Sequence, residues 1–266
     1  MSTHSDYDVI IAGGGPAGSS AAIHLALRGA RVLLAEQKKF PRPKLCGEFI
    51  SPECIMQFER LGVSDQMLLS SPSPLTETVF YSQAGASVSV PSDWFSKGGV
   101  ALGLSRAEMD ERLLRRAADA GVDVREETSV TSLNFANDRV VGVNLKTHNS
   151  EKPVSAPITI DATGRSRMLA RMAEKSVPMS SKQRGLVAFK AHFRNTGVAH
   201  GACEIYFYRG GYGGLSSIEN GLSNLCFIVN ARDVRACQSN ADRAVREIVC
   251  RNQRASHTLR EAVPDS

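Results

Sequence analysis

The stretch Tyr7-Asp8-Val9-Ile10-Ile11-Ala12-Gly13-Gly14-Gly15-Pro16-Ala17-Gly18, continued by Arg31-Val32-Leu33-Leu34-Ala35-Glu36, decides the fold. Val9, Ile10 and Ile11 form an apolar run of strand length bounded by Gly13, and the Ala-rich segment from Pro16 to Leu27 is apolar on one face at helical spacing. Between them lies G-x-G-x-x-G at Gly13, Gly15 and Gly18, with Pro16 and Ala17 inside the pattern. Gly13 permits the tight turn out of the strand, Gly15 lets a diphosphate approach the backbone, and Gly18 lets the helix pack closely on the sheet. The first N–H groups of the helix then face the phosphates. Arg31 to Ala35 reads as a second parallel strand, and Glu36 stands at its end, eighteen residues beyond Gly18. A carboxylate there accepts the ribose hydroxyls of an adenosine and repels a 2′-phosphate. The unit therefore reads as a site for FAD or NAD rather than NADP.

A chain of 266 residues can bury a full core as one large or two modest domains. The net charge of +5 comes from 32 basic and 27 acidic residues mixed along the chain without a long basic block, which argues against a nucleic-acid partner. No apolar run approaches the length of a membrane helix, and Met1 to Asp6 lacks a basic region followed by an apolar core. Neither a membrane span nor a signal peptide is expected. Cys46, Cys54, Cys203, Cys226, Cys237 and Cys250 include no C-x-x-C pair. Free thiols in a reducing, cytoplasmic compartment and no metal site are the expectation.

After Glu36 the chain reads Gln37-Lys38-Lys39-Phe40-Pro41-Arg42-Pro43-Lys44-Leu45-Cys46-Gly47-Glu48-Phe49-Ile50. Two prolines and a glycine oppose regular structure, while Arg42 and Lys44 place positive charge just beyond the ribose position. Ser51-Pro52-Glu53 is a helix start, with Ser as N-cap, Pro at the first helical position and an acid in the first turn. The loop from Phe40 to Ile50 is thus held between two defined elements, where it can lie over a cofactor.

Gly13 to Gly18, Glu36 and the segment Pro41-Arg-Pro-Lys-Leu-Cys46-Gly47-Glu48-Phe-Ile-Ser51-Pro52 resemble the geranylgeranyl reductase-like branch of the FAD-dependent monooxygenase superfamily, which is also similar to flavin-dependent halogenases. The resemblance implies an FAD-dependent redox enzyme with NAD(P)H as transient electron donor. It places Glu36 and Gln37 at the adenosine, Arg42 on the cofactor, and Cys46 and Gly47 toward the flavin and substrate. Cys46 is open to two readings, a small loop residue packed beneath the cofactor or a reactive thiol. No paired cysteine or adjacent histidine supports the second. Glu48 is likewise open, to ordering the loop through backbone hydrogen bonds or to moving a proton.

Glu77 to Ser82 and Ala86 to Val90, joined by Gln83-Ala84-Gly85, suggest a hairpin, and Trp94 and Phe95 after it fit either a cavity wall or ordinary packing. Ser105 with Glu108 forms a capping box before a helix carrying Met109, Leu113 and Leu114 on one side. By the resemblance, Arg106 at this helix start reaches the flavin's ribityl or phosphate region. Val122 to Val124 reads as a further parallel strand, and Ser129 to Phe135 and Arg139 to Leu145 as an antiparallel pair. The apolar strand Ile158-Thr159-Ile160 then ends in Asp161-Ala162-Thr163-Gly164, before a helix expected from Ser166. This turn resembles the superfamily's Asp-Gly motif, which implies that Asp161 and Gly164 support the pyrophosphate and favours FAD over NAD.

Gly185 to Phe193, Cys203 to Arg209 and Leu222 to Val229 are further strand candidates, with Gly210-Gly211-Tyr212-Gly213-Gly214 expected between strands. Tyr212 fits a substrate wall or a turn, and His192 and His200 read as lone histidines with satisfied partners. Ala231 to Leu259 offers an apolar helical stripe at Val234, Cys237, Ala241, Val245 and Ile248.

The expected fold class is α/β, a Rossmann-like FAD-binding fold with an inserted, mostly antiparallel β substrate domain. Residues 1–75 and 100–180 would form a discontinuous FAD-binding domain, 76–99 and 181–230 the substrate-side β domain, and 231–266 a helical C-terminal segment. The superfamily's third FAD signature, a Gly-Asp opening a helix, is not found. The resemblance therefore covers about the first two-thirds of a usual member, and a complementary chain supplying that segment is a possible partner. The leading expectation is an FAD-dependent oxidoreductase that reduces or hydroxylates an apolar or aromatic small molecule. The alternatives are a halogenase-like enzyme, or an inactive fragment binding dinucleotide weakly. Halogenases typically carry Trp-x-Trp-x-Ile and a catalytic lysine, but Trp94 is the sole tryptophan and no lysine matches by motif.

Overall fold

Val9–Ala12 forms the first strand, and all four of its residues are buried, as an apolar run requires when both faces of a parallel sheet are covered. In this computed structural model, which describes residues 5–174 and 185–265, the elements run in chain order. They begin with β1 (Val9–Ala12), α1 (Pro16–Ala26), β2 (Val32–Ala35), β3 (Phe49–Ile50), α2 (Pro52–Leu61), α3 (Ser64–Leu69), β4 (Ser73–Leu75), β5 (Glu77–Tyr81) and β6 (Ser87–Pro91). Next come β7 (Ala101–Gly103), α4 (Arg106–Asp119), β8 (Asp123–Arg125), β9 (Ser129–Ala136), β10 (Arg139–Lys146), β11 (Glu151–Ser155), β12 (Ile158–Asp161) and α5 (Met168–Ala173). The chain closes with β13 (Leu186–Arg194), β14 (Ala202–Tyr208), β15 (Gly211–Ser217), β16 (Ser223–Asn230), α6 (Ala231–Ala236), α7 (Ala241–Glu247), α8 (Gln253–Thr258) and β17 (Val263–Pro264).

The chain forms two units, one of Met1–Pro43, Arg60–Ser64 and Ala107–Ser180, the other of Lys44–Glu59, Asp65–Arg106 and Ser181–Ser266. The boundary expected between residues 180 and 181 lies outside the described residues. In the first unit a parallel sheet of order β12-β1-β2-β8 carries the glycine turn. Its register sets Ala12 beside both Ala35 and Asp161, so three strands end at one edge. Ile10, Leu33, Val130, Val143, Leu145 and Leu169 form its core against the antiparallel sheet β11-β10-β9. The helix expected from Ser166 begins later. Gly164–Ser166 is a single 3-10 turn, Arg167 takes a left-handed φ of 46°, and α5 follows.

The second unit holds a seven-stranded sheet of order β17-β13-β16-β15-β14-β5-β6, antiparallel except between β5 and β14. Its glycine-rich segment corrects the sequence reading, because Gly211 to Gly214 lies within β15 rather than between strands. A Cβ on Gly211 would fall 1.9 Å from the Ile228 carbonyl oxygen and one on Gly213 2.9 Å from Phe227 Cβ. The glycines mark close backbone approach within the sheet, a use of Gly that turn composition does not separate from a loop.

Phe193, Tyr206, Leu215, Leu225, Phe227 and Val229 pack one face of this sheet against Val234, Ile248, Val249 and Ala255. The apolar stripe expected over 231–259 is therefore divided among α6, α7 and α8, since Gln238 and Ser239 take positive φ and break it. Ala244 is buried in the stripe, whereas Ala241 is exposed. Arg254 closes this side by donating to the buried Glu204 carboxylate, which also accepts the Tyr206 hydroxyl at 2.7 Å. Trp94 and Phe95 are exposed rather than packed.

Candidate functional site

The glycine turn of the first unit is shaped by sterics. Gly13 has φ +106°, and a Cβ there would lie 2.4 Å from the Ala162 carbonyl oxygen. A Cβ on Gly18 would lie 1.9 Å from the Gly13 oxygen. At Gly15 the nearest atom to such a Cβ is Arg42 Nη2 at 3.8 Å, so the concave side of the turn is open under a guanidinium. Pro16 takes the first turn of α1, where a missing N–H costs no hydrogen bond, and Ala17 beside it is exposed.

Glu36 is buried at the end of β2. Its Oε2 accepts the Gly14 amide at 2.8 Å and its Oε1 the Lys38 amide at 2.9 Å. Arg42 lies 3.5 Å from Glu36 and 3.4 Å from Asp110, with its guanidinium over the Phe40 ring at 4.5 Å. Gln37 is exposed at the same strand end. Asp161 accepts the Thr163 amide at 3.0 Å, the Thr163 hydroxyl at 2.5 Å and the Ala170 amide at 2.9 Å. Burial pushes its pKa up, but these hydrogen bonds outweigh burial and hold the carboxyl below its usual value. Asp161 thus builds the turn that leads to the exposed Gly164.

These residues fit a bound dinucleotide. Arg42 Nε is buried without a hydrogen-bond partner beside the open face of Gly15, and a buried donor in that state calls for an acceptor such as a ligand oxygen. Among the described residues no group of three or more His, Cys, Asp or Glu side chains could hold a metal ion.

Cys46, Gly47 and Arg106 belong to the second unit and are organised around Glu48. Glu48 is buried with a left-handed φ of 55°, a conformation a non-glycine residue holds only when its surroundings compel it. Its Oε1 accepts the Arg106 amide at 2.8 Å and the Lys190 ammonium, and its Oε2 lies 2.8 Å from His192 Nε2. Burial raises its pKa, yet hydrogen bonds from His192, Lys190 and the Arg106 amide prevail and leave it lowered. Cys46 Sγ accepts the Glu48 amide at 3.5 Å, and the Cys46 carbonyl accepts Asn224 Nδ2 at 3.1 Å. With both oxygens of Glu48 engaged, the loop-ordering role has the geometric support.

His192 is a satisfied histidine, as expected, but its partner, the Glu48 carboxylate, was not foreseen. The signal was present in alternation, because Val187, Phe189, Ala191 and Phe193 share one face of β13 and leave Lys190 and His192 together on the other. Asp110 was also missed. It occupies the buried stripe of α4 with Leu113, Leu114 and Ala117, where a charge is the anomaly that marks a partner.

Fold and glycine turn define a Rossmann-like dinucleotide-binding protein with an added, mostly antiparallel β region. The chain belongs to the FAD binding domain family, which matches residues 6–264. It is 33% identical over 168 residues to a digeranylgeranylglycerophospholipid reductase of Methanosarcina mazei, covering 63% of this chain and 40% of that protein. It is 31% identical over 176 residues to a flavin-dependent halogenase, armH3, of Armillaria mellea, covering 61% of this chain and 33% of that one. The chain thus spans less than half the length of these relatives. Among solved structures, the myxobacterial chondrochloren halogenase CndH aligns with a TM-score of 0.84 at 24% identity, over 97% of this chain and 60% of that one. A flavoprotein/dehydrogenase of Cytophaga hutchinsonii aligns with a TM-score of 0.85 at 22% identity, over 97% and 64%. Among the described residues no helix is long and apolar enough to cross a membrane.

Proposed function

We propose that this chain is the FAD- and substrate-binding part of an FAD-dependent oxidoreductase that modifies an aromatic or apolar small molecule, in the manner of flavin-dependent halogenases and monooxygenases. The observation that carries the reading is the open glycine turn, with its buried Glu36–Arg42–Asp110 chain and the partnerless Arg42 Nε. Gly13, Gly15, Gly18 and the first amides of α1 hold the diphosphate, Glu36 accepts the adenosine ribose, and Arg42 neutralises the phosphate side. Bound FAD supplies the redox chemistry, with NAD(P)H as its electron donor. In the second unit the aromatic residues Phe80, Phe207 and Tyr212 give the substrate an apolar surface, and the partly buried Lys190 stands on the same face of the sheet.

A second reading, reduction of isoprenoid double bonds, is favoured by the Cys46-Gly47-Glu48 loop and by the reductase relative. The deciding experiment incubates the purified chain with FAD and NAD(P)H, with and without chloride or bromide, against aromatic and polyprenyl substrates. Product masses distinguish added halogen or oxygen from added hydrogen. Halogenated or oxygenated aromatics are expected, and hydrogenated polyprenyl products would shift the assignment to reduction. FAD that does not bind would overturn both.

A further inference from the structure

The register of the seven-stranded sheet aligns side chains of one face into transverse rows. One row runs Lys190, Cys226, Gly214, Ile205, Phe80, Val88 across β13, β16, β15, β14, β5 and β6. The row on one side begins His192, Asn224, Ser216 and Cys203, and that on the other Ala188, Ile228, Tyr212 and Phe207. Two of these rows begin with polar groups at the β13–β16 end, Lys190 in one and His192 and Asn224 in the other, while the third begins with Ala188 and Ile228. Phe80, Phe207 and Val88 lie toward the β14–β6 end, with Gly214 as a gap in the first row. Phe207 stacks with Phe80 at 6.3 Å and meets Tyr212 at 6.4 Å, and Phe207, Tyr212 and Val88 are 46%, 48% and 66% exposed.

At the polar end Asn224 is fully buried, and its Oδ1 has no hydrogen-bond partner. Its amide orientation is fixed chemically, because only Nδ2 can donate to the Cys46 carbonyl. A buried acceptor in this state lacks a donor. Lys190 is its diagonal neighbour across β13 and β16, at roughly 7–8 Å, within reach of a long side chain. Glu48 accepts a hydrogen bond from the Lys190 ammonium, which has three donors in all.

We infer that Lys190 and Asn224 form an anchor for a substrate hydroxyl, so that the ligand of this face is an extended amphiphile with an O–H head and an apolar body. A hydroxyl meets both demands, since its oxygen accepts from Lys190 while its proton is donated to Asn224 Oδ1. An ionised carboxylate cannot donate. Adjacent strands lie about 4.8 Å apart, so the four strand steps from Lys190 to Phe80 cover roughly 19 Å, well beyond a single ring. This inference deepens the proposed oxidoreductase reading and rests on it for the claim that the ligand is a substrate.

The test measures calorimetric affinities of phenol, 4-hexylphenol and 4-hexylanisole for the unmodified chain with FAD added, at neutral pH where the phenol keeps its proton. 4-Hexylphenol should bind at least tenfold more tightly than 4-hexylanisole, which has no proton to donate, and at least tenfold more tightly than phenol. Lys190→Met should bring the first ratio toward one, and Phe207→Ala should weaken both hexyl compounds alike. Equal affinities of 4-hexylphenol and 4-hexylanisole for the unmodified chain, or no binding of either, would overturn the inference even if Lys190→Met fails to fold. FAD titration of the same preparation separates the two claims. Tight FAD binding with no preference for the free hydroxyl removes the anchor alone, whereas hydroxyl preference without FAD binding removes the oxidoreductase reading.

Discussion

Glu36 Oε2 accepts the Gly14 amide at 2.8 Å while standing 3.5 Å from Arg42 Nη2, so one buried carboxylate links the glycine turn to the arginine above it. Glu36→Ala is expected to weaken FAD binding by a factor of ten or more. It should also lower stability by about 1–3 kcal/mol, because the Gly14 and Lys38 amides lose their acceptors. Calorimetry with FAD and urea unfolding measure the two separately. Lower stability with unchanged FAD affinity would confine Glu36 to holding the turn.

Gly15 and Gly18 are expected to differ. A Cβ at Gly15 has 3.8 Å of clearance, whereas at Gly18 it would collide with the Gly13 oxygen at 1.9 Å. Gly15→Ala should fold with stability within about 1 kcal/mol of the parent, the usual scale of a Gly–Ala exchange, yet lose FAD because the methyl group occupies the diphosphate approach. Gly18→Ala should lose about 1–3 kcal/mol as the turn is pushed apart. Circular dichroism melts beside FAD titrations check the pair, and a Gly15→Ala protein that retains parental FAD affinity would remove the phosphate from this turn.

Stability should fall on acidification through Glu48. Its folded pKa lies below the ordinary 4.5, so the contribution of its ion pairs is complete above pH 4.5 and is lost as pH drops through the folded value. Protonation leaves the partly buried Lys190 ammonium without its counterion. Glu48→Gln should cost about 3–5 kcal/mol at pH 7, the scale of breaking a buried pair, and flatten the acid limb. Asp161, also lowered, leaves a residual slope below pH 3.8. Urea unfolding between pH 3 and pH 7 measures this, and parallel curves for parent and variant would contradict it.

Much of the first unit was legible because its determinants are local. Strand length, glycine spacing, a proline at the first helical position and a terminal acid all act within about thirty residues, and β1, α1, β2 and the Asp161 turn stand where that pattern placed them. The imperfect alternation of β13 likewise marks a half-buried strand before any partner is known, whereas β16 reads only as a continuous apolar run from Leu225 to Val229. The glycines of β15 were misread because composition reports permitted conformations, and the close approach of Ile228 that requires Gly211 lies seventeen positions away along the chain.

By itself the sequence determined a dinucleotide turn, its acidic strand end and the α/β class, since each follows from torsional preference and short-range hydrogen bonding. Only the tertiary structure decided which charges meet. Glu48 reaches Lys190 and His192 across more than 140 positions, and Arg42 reaches Asp110 across 68. Asn224 acquires its partnerless oxygen only because the Cys46 carbonyl takes its amide. Burial makes these encounters matter, because a charge or acceptor removed from water must find a partner, and sheet register determines which one comes within reach.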